Sequence, residues 1–146
     1  MQLTSEQEAT IAYSALSEPG DALAYLIFQQ NGPAAIEQFK SGKAKTIWPE
    51  QIHELAPEYV ASLPLLFERF SLRVPKTHVP TLVERAMRWN AQPVFPDQLP
   101  RLWNQFADLE MHGPYLLWVA GSTRVFECDA NAIVGTRNPT LRGINN

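Results

Sequence analysis

The sequence predicts a mostly helical α/β protein: a helical module over residues 1–90, then the first strands of a parallel sheet over 91–146. Three observations point there. Through the first ninety residues, apolar side chains recur at helical spacing between proline and glycine stops. After Asn90 the apolar runs shorten to strand length, at Gln92–Phe95, Leu116–Ala120 and Ala132–Val134. The last of these meets Gly135 and Thr136-Arg137, and Pro139-Thr140 then reads as a helix opening. A strand, a glycine turn and a helix N-terminus form an anion-binding corner, where backbone N–H groups point outward and the helix dipole favours negative charge.

Taken in order, the first ninety residues read as short helices. Ser5 with Glu8 fits a capping box, and Ala9, Ala12 and Leu16 follow at helical spacing until Pro19-Gly20. Asp21 caps a second helix carrying Leu23, Leu26 and Ile27, stopped by Asn31-Gly32. Pro33 suits the first turn of a third, Ala34 to Lys40, with Ile36 and Phe39 inward and Gly42 as its stop. Sterile-alpha-motif-like and helix-hairpin-helix modules are built this way. From Pro49 to Leu72, Ile52, Leu55, Tyr59, Leu63, Leu66, Phe67 and Phe70 keep near-helical spacing. Pro57 and Pro64 interrupt it, so two helices or one kinked helix are expected. Thr77 to Asn90 gives another, with Leu82, Val83, Ala86 and Met87 on one face and Glu84 paired with Arg88 at i, i+4. Asp97 to Leu109 reads as helical, with Pro100 in its first turn.

Composition narrows the function. The 146 residues suit one domain, or one small domain plus a fragment, and the formal net charge is −3. Neither residues 1–90 nor residues 91–146 carry more Lys and Arg than Asp and Glu, so no bulk basic field draws in nucleic acid. From Asn131 onward, however, there is no acidic side chain, and Arg137 and Arg142 stand alone. Phosphate contact is therefore expected to be local. The single cysteine, Cys128, makes no internal disulfide, and the polar, acidic N-terminus is no signal peptide. No apolar run approaches a membrane span. A cytoplasmic protein is expected.

Candidate chemistry is sparse. His53, His78 and His112 are scattered, with no Cys or carboxylate at metal-ligand spacing, so no metal or cofactor is expected. Glu54 and Glu58 lie at i, i+4 but read as a solvated helix face. Cys128 sits between Glu127 and Asp129, which disfavour a thiolate nucleophile. No serine occupies a Gly-x-Ser-x-Gly elbow, and the Gly135 turn is neither a Walker loop nor Gly-x-Gly-x-x-Gly. Lys40, Lys43 and Lys45 with Trp48 form the one basic-aromatic cluster. It reads either as a stacking site for single strands or, preferably, as a lysine-rich helix end over a partly buried Trp48. Trp89, Trp103 and Trp118 are assigned to the core. The candidate nucleic-acid-binding residues are Gly135, which permits close backbone approach, Thr136 and Thr140, which offer hydroxyls and amides, and Arg137, whose planar charge pairs with phosphate.

Three blocks in this order carry a family likeness: Phe95-Pro96-x-x-Leu99, then Pro114-Tyr-Leu-Leu-Trp-Val-Ala-Gly121, then Ala132-Ile-Val-Gly-Thr-Arg-Asn-Pro-Thr140 with Gly143. The series resembles the DNA-processing family known as DprA or Smf over roughly the last fifty residues. The Gly-Thr-Arg block is its specific part. Ala120 stands where the family often has arginine, Asn131 where it often has an apolar residue, and Arg142 where it often has an aromatic. The resemblance implies a Rossmann-like sheet and a non-enzymatic role in natural transformation: shielding incoming single-stranded DNA and loading a RecA-type recombinase. It implies that Arg137 contacts the DNA backbone, and that full-length members form homodimers. Family members continue beyond the point matching Asn146 with further glycine-rich motifs, so this chain is expected to be an incomplete member that does not perform the full function alone. The other readings are a nucleotide-binding enzyme on a related sheet, of phosphoribohydrolase type, and a helical protein-interaction module. The enzyme would need a carboxylate near the phosphate turn, and none follows Asp129.

Overall fold

A computed structural model describes residues 2–128. Seven α-helices account for most of these residues: α1 Ser5–Leu16, α2 Ala22–Asn31, α3 Ala34–Lys40, α4 Ala44–Leu55, α5 Leu63–Arg73, α6 Val79–Met87 and α7 Pro100–Gln105. Two short strands, β1 Ala91–Val94 and β2 Leu117–Ala120, are joined by α7 and flanking 3₁₀ turns. No described helix is long and apolar enough to cross a membrane.

Local signals set most of the helix ends. Asp21 accepts the Ala24 N–H at 3.0 Å and so caps α2, whose far end turns at Gly32 with φ +55°. The cap of α1 differs by one residue from the sequence expectation. Thr4, not Ser5, takes the extended cap conformation, and its hydroxyl accepts the Gln7 N–H at 3.2 Å. The Gln7 side chain in turn accepts the Thr4 N–H at 3.1 Å. Thr-x-x-Gln and Ser-x-x-Glu both satisfy the capping-box pattern, and Ser5 becomes the first helical residue. Helix α4 begins before Pro49 and runs through it. Only the bond from residue 49 to the Lys45 carbonyl is forfeited, while Ala44, Trp48 and Ile52 bury one continuous face. The break expected at Pro57 is present, and Pro64 lies in the first turn of α5.

Helices α1 to α5 enclose the main core. Tyr13, Leu16, Ile27, Trp48, Ile52, Leu66 and Phe70 are its largest members. A smaller core lies beyond Asn90, where Val94, Leu99, Leu102 and Val119 pack with Trp103, Phe106, Leu117 and Phe126. Two junctions tie the parts together: Ile11 of α1 is buried against Phe95 and Leu116, and Tyr115 packs into the main core, with its ring centroid 5.5 Å from that of Tyr13 and 4.9 Å from that of Phe28.

The strands correct one expectation. They pair antiparallel, with Val94 opposite Leu117 and Ala91 opposite Ala120, rather than parallel. A parallel partner needs a crossover helix that carries the chain back to the starting end of the first strand. Here the connection holds a 3₁₀ turn at Pro96–Gln98, six-residue α7 and a 3₁₀ segment interrupted at Glu110, φ +49°. It folds over the Val94 face and returns in the opposite sense. Pro93 in β1, with no N–H to give, suits an edge strand. The expected strand Ala132–Val134 lies outside the described residues.

Candidate nucleic-acid interface

The residues assigned to phosphate, Gly135, Thr136, Arg137 and Thr140, lie outside the described residues, as does Asp129. The described structure bears on what leads up to them and on the other aromatic and basic groups.

The chain reaches β2 through Gly113-Pro114-Tyr115 and leaves it at Gly121, where φ is +100°, a region that favours glycine. The Ser122 hydroxyl then accepts the Arg124 N–H at 3.3 Å and opens a 3₁₀ turn over Thr123–Glu127. The second family-like block is thus a strand ended by a glycine turn, and the first block lies beside it. Phe95 shares one buried cluster with Leu116, and Leu99 shares another with Val119.

The basic-aromatic cluster resolves in favour of packing. Trp48 has no exposed surface. Its indole stacks on Phe67 at 5.4 Å and on Phe39 at 6.0 Å, and its Nε1 donates to Gln38 Oε1 at 2.8 Å. Lys40, Lys43 and Lys45 are exposed, and Lys40 pairs with Glu37. Buried beneath them, Trp48 offers no face to a base.

Two of the tryptophans assigned to the core are instead at the surface. Trp89 is 81% exposed in the turn after α6, and Trp118 is 39% exposed on β2. Trp103 is half-buried beside Phe106, at 5.7 Å and near right angles. The reason for Trp118 is the strand period. Leu117 and Val119 face the small core, so the residue between them faces the opposite way, toward α1 and α6. Alternation in Leu-Trp-Val-Ala was the available sequence signal. For Trp89, the helical stripe of Leu82, Val83 and Ala86 ends before it, and Asn90 at φ +52° turns the chain away.

Elsewhere the polar groups serve structure. Asp21 pairs with Arg69 as well as capping α2, and Arg73 pairs with Glu18 and donates to the carbonyls of Leu16 and Ser17 at 3.1 Å. The Tyr13 hydroxyl donates to the Ala24 carbonyl at 2.8 Å. Burial, and then the charges of Tyr115 and Asp21, hold the Tyr13 phenol well above its ordinary ionisation range. Burial likewise raises the Tyr115 phenol, against an opposing hydrogen bond from Ser17. Both rings therefore stay protonated at neutral pH and act as packing groups with a polar tip. Among the described residues, no three His, Cys, Asp or Glu side chains converge as metal ligands. His112 donates from Nδ1 to the Gly20 carbonyl at 2.7 Å, and His78 Nδ1 lies 2.9 Å from Thr81 Oγ1. Glu54 and Glu58 are exposed and belong to different helices, separated by the break at Ala56.

A cleft of about 350 Å³ lies between α1, α6 and β2, lined by Ile11, Ser14, Ala15, Leu82, Arg85, Ala86 and Trp118. A neighbouring one of about 290 Å³ shares Ser14 and Trp118 and extends past Glu18 and Gly20 to His112 and Tyr115. Comparison with protein-family models, with curated proteins and with solved structures finds no match.

Proposed function

We propose that this protein binds single-stranded DNA without acting on it chemically, in the manner that the resemblance to DprA or Smf implies: it shields incoming strands during natural transformation and passes them to a RecA-type recombinase. The observation that supports the reading is the side-by-side packing of two of its three sequence blocks, Phe95 against Leu116 and Leu99 against Val119. Blocks that share a buried cluster constrain one another, which is a physical reason for them to occur together at fixed spacing. In this reading β2 opens a Rossmann-like sheet. Gly135, Thr136, Arg137 and Thr140 supply the phosphate contacts, and the sterile-alpha-motif-like helical module is a covering unit packed against the sheet.

Anisotropy of a labelled single-stranded oligonucleotide tests it. Binding is expected to weaken with salt, as counterion release requires. Arg137→Ala is expected to weaken it by about 1–3 kcal/mol, the scale of a lost charge-assisted contact. Equal binding by the variant removes Arg137 from the site. Preference for a mononucleotide over the oligonucleotide replaces this reading with the phosphoribohydrolase one.

One observation favours a second reading, a helical protein-interaction module. On α5, Leu65 and Leu72 are 66% and 62% exposed and lie two turns apart on one face. Leu65→Glu and Leu72→Glu should leave oligonucleotide binding unchanged under the first reading.

A further inference from the structure

The cleft between α1, α6 and β2 has a composition that single strands use and folded cores avoid. Its floor is apolar, from Ile11, Ala15, Leu82 and Ala86. One wall is the partly exposed indole of Trp118. Among the described residues its one charged lining side chain is Arg85, which is exposed and makes no ion pair with any of them, while its neighbour Arg88 is paired with Glu84. No carboxylate of the described residues lines this cleft; Glu18 and Asp21 line only the adjoining one. The Ser14 hydroxyl, which spans both, donates to the Ile11 carbonyl at 2.8 Å and keeps lone pairs free to accept.

The geometry points to a subsite for one unpaired nucleobase and its phosphate, resting on the single-strand reading above. The base stacks on Trp118 over the apolar floor, Ser14 accepts from its edge, and Arg85 holds the adjoining phosphate. An aromatic face beside an unpaired guanidinium is the recurring arrangement for single strands, because every base has a π-face and every linkage a charge. A volume of about 350 Å³ falls within the range of small-ligand sites and exceeds what one base needs. A duplex does not fit this description, since its bases are covered on both faces by their neighbours. The acidic side of the groove, at Glu18, sets the polarity: phosphate lies toward α6 and base toward β2.

The test uses the full chain and a labelled oligodeoxythymidylate, with Trp118→Ala, Trp118→Phe, Arg85→Ala and Arg137→Ala compared by anisotropy and checked for folding by circular dichroism. Trp118→Ala is expected to weaken binding roughly tenfold, the usual scale of one stacked base, with Trp118→Phe retaining most of the affinity. Arg85→Ala, at an exposed position whose loss leaves packing intact, is expected to weaken binding severalfold and reduce the salt slope by about one. A photo-cross-link from an iodouridine-containing strand should map to Trp118. Binding that falls with Arg137→Ala but is unchanged in Trp118→Ala and Arg85→Ala overturns the subsite and leaves the single-strand reading standing. No binding by the wild-type chain overturns that reading, and the subsite with it.

Discussion

The two cores differ in how they are held. Among the described residues the helical one has fourteen buried residues from α1 to α5, and its aromatic rings contact one another across four helices, α1, α3, α4 and α5. The one beyond Asn90 has four buried residues among those described, and its described strands are four residues long. The first is assembled by elements adjacent in sequence, each with its own start and stop. The second closes only when Ala91–Val94 meets Leu117–Ala120 across an irregular connection. The lesson is that burial is divided unevenly: the deep core is sealed, while the exposed tryptophans lie on a strand of the shallow one and in the turn that leads into it.

The largest expected effect separates the two directly. Trp48→Ala should cost about 3–5 kcal/mol in urea unfolding, because it empties a fully buried, stacked site. A loss under about 0.5 kcal/mol is what an exposed stacking residue would give, and would refute the buried placement. Leu102→Ala probes the smaller core. About 2 kcal/mol is expected, the low end for a leucine, since this cluster is small and can relax. Hydrogen exchange should show Val94 and Val119 amides opening before those of α1 and α2; the reverse order would invert the comparison.

Alkaline pH sharpens the contrast at the junction. The phenols of Tyr13 and Tyr115 are raised in the folded chain, chiefly by burial. Unfolded tyrosines ionise near pH 10, so above that pH the unfolded chain binds fewer protons than the folded one. Stability contributed by keeping them neutral is therefore complete below about pH 10 and declines above it. Tyr115→Phe should flatten that decline in a pH series of thermal melts; an unaltered slope would mean that Tyr115 is open to solvent. The smallest effect concerns a single cap. Thr4→Ala should cost roughly 0.5–2 kcal/mol and Ser5→Ala much less, by thermal unfolding. Equal losses would return the cap to Ser5.

Much of the helical region was legible because its determinants are local. Asp21, Gly32, Pro33 and Pro57 act on their own neighbours, and the structure finds them at the boundaries that the sequence marks. Trp48 was harder. The lysines around it describe the surface, whereas its burial depends on Phe39 and Phe67 from two other helices. The strand direction was not legible either, since it depends on how the chain between Val94 and Leu117 folds back. For the candidate site, sequence supplied Gly135, Thr136, Arg137 and Thr140, outside the described residues; it assigned Trp118 to the core and did not single out Arg85, which lines a cleft with it. Those two share a cleft only because α6 and β2 meet in space.

The spread of the four tryptophans has an optical consequence. Trp48 is sealed among aromatic rings, while Trp89 is 81% exposed. A water-borne quencher such as acrylamide meets Trp89 on every encounter and Trp48 only when the core opens. Their emission maxima differ for the same reason, shorter in wavelength for the sealed indole and longer for the hydrated one. The intrinsic fluorescence of the native chain thus spans two extremes that a quencher separates, one reporting the interior of the helices and the other the solvent-facing turn that enters the sheet, with Trp103 and Trp118 between them.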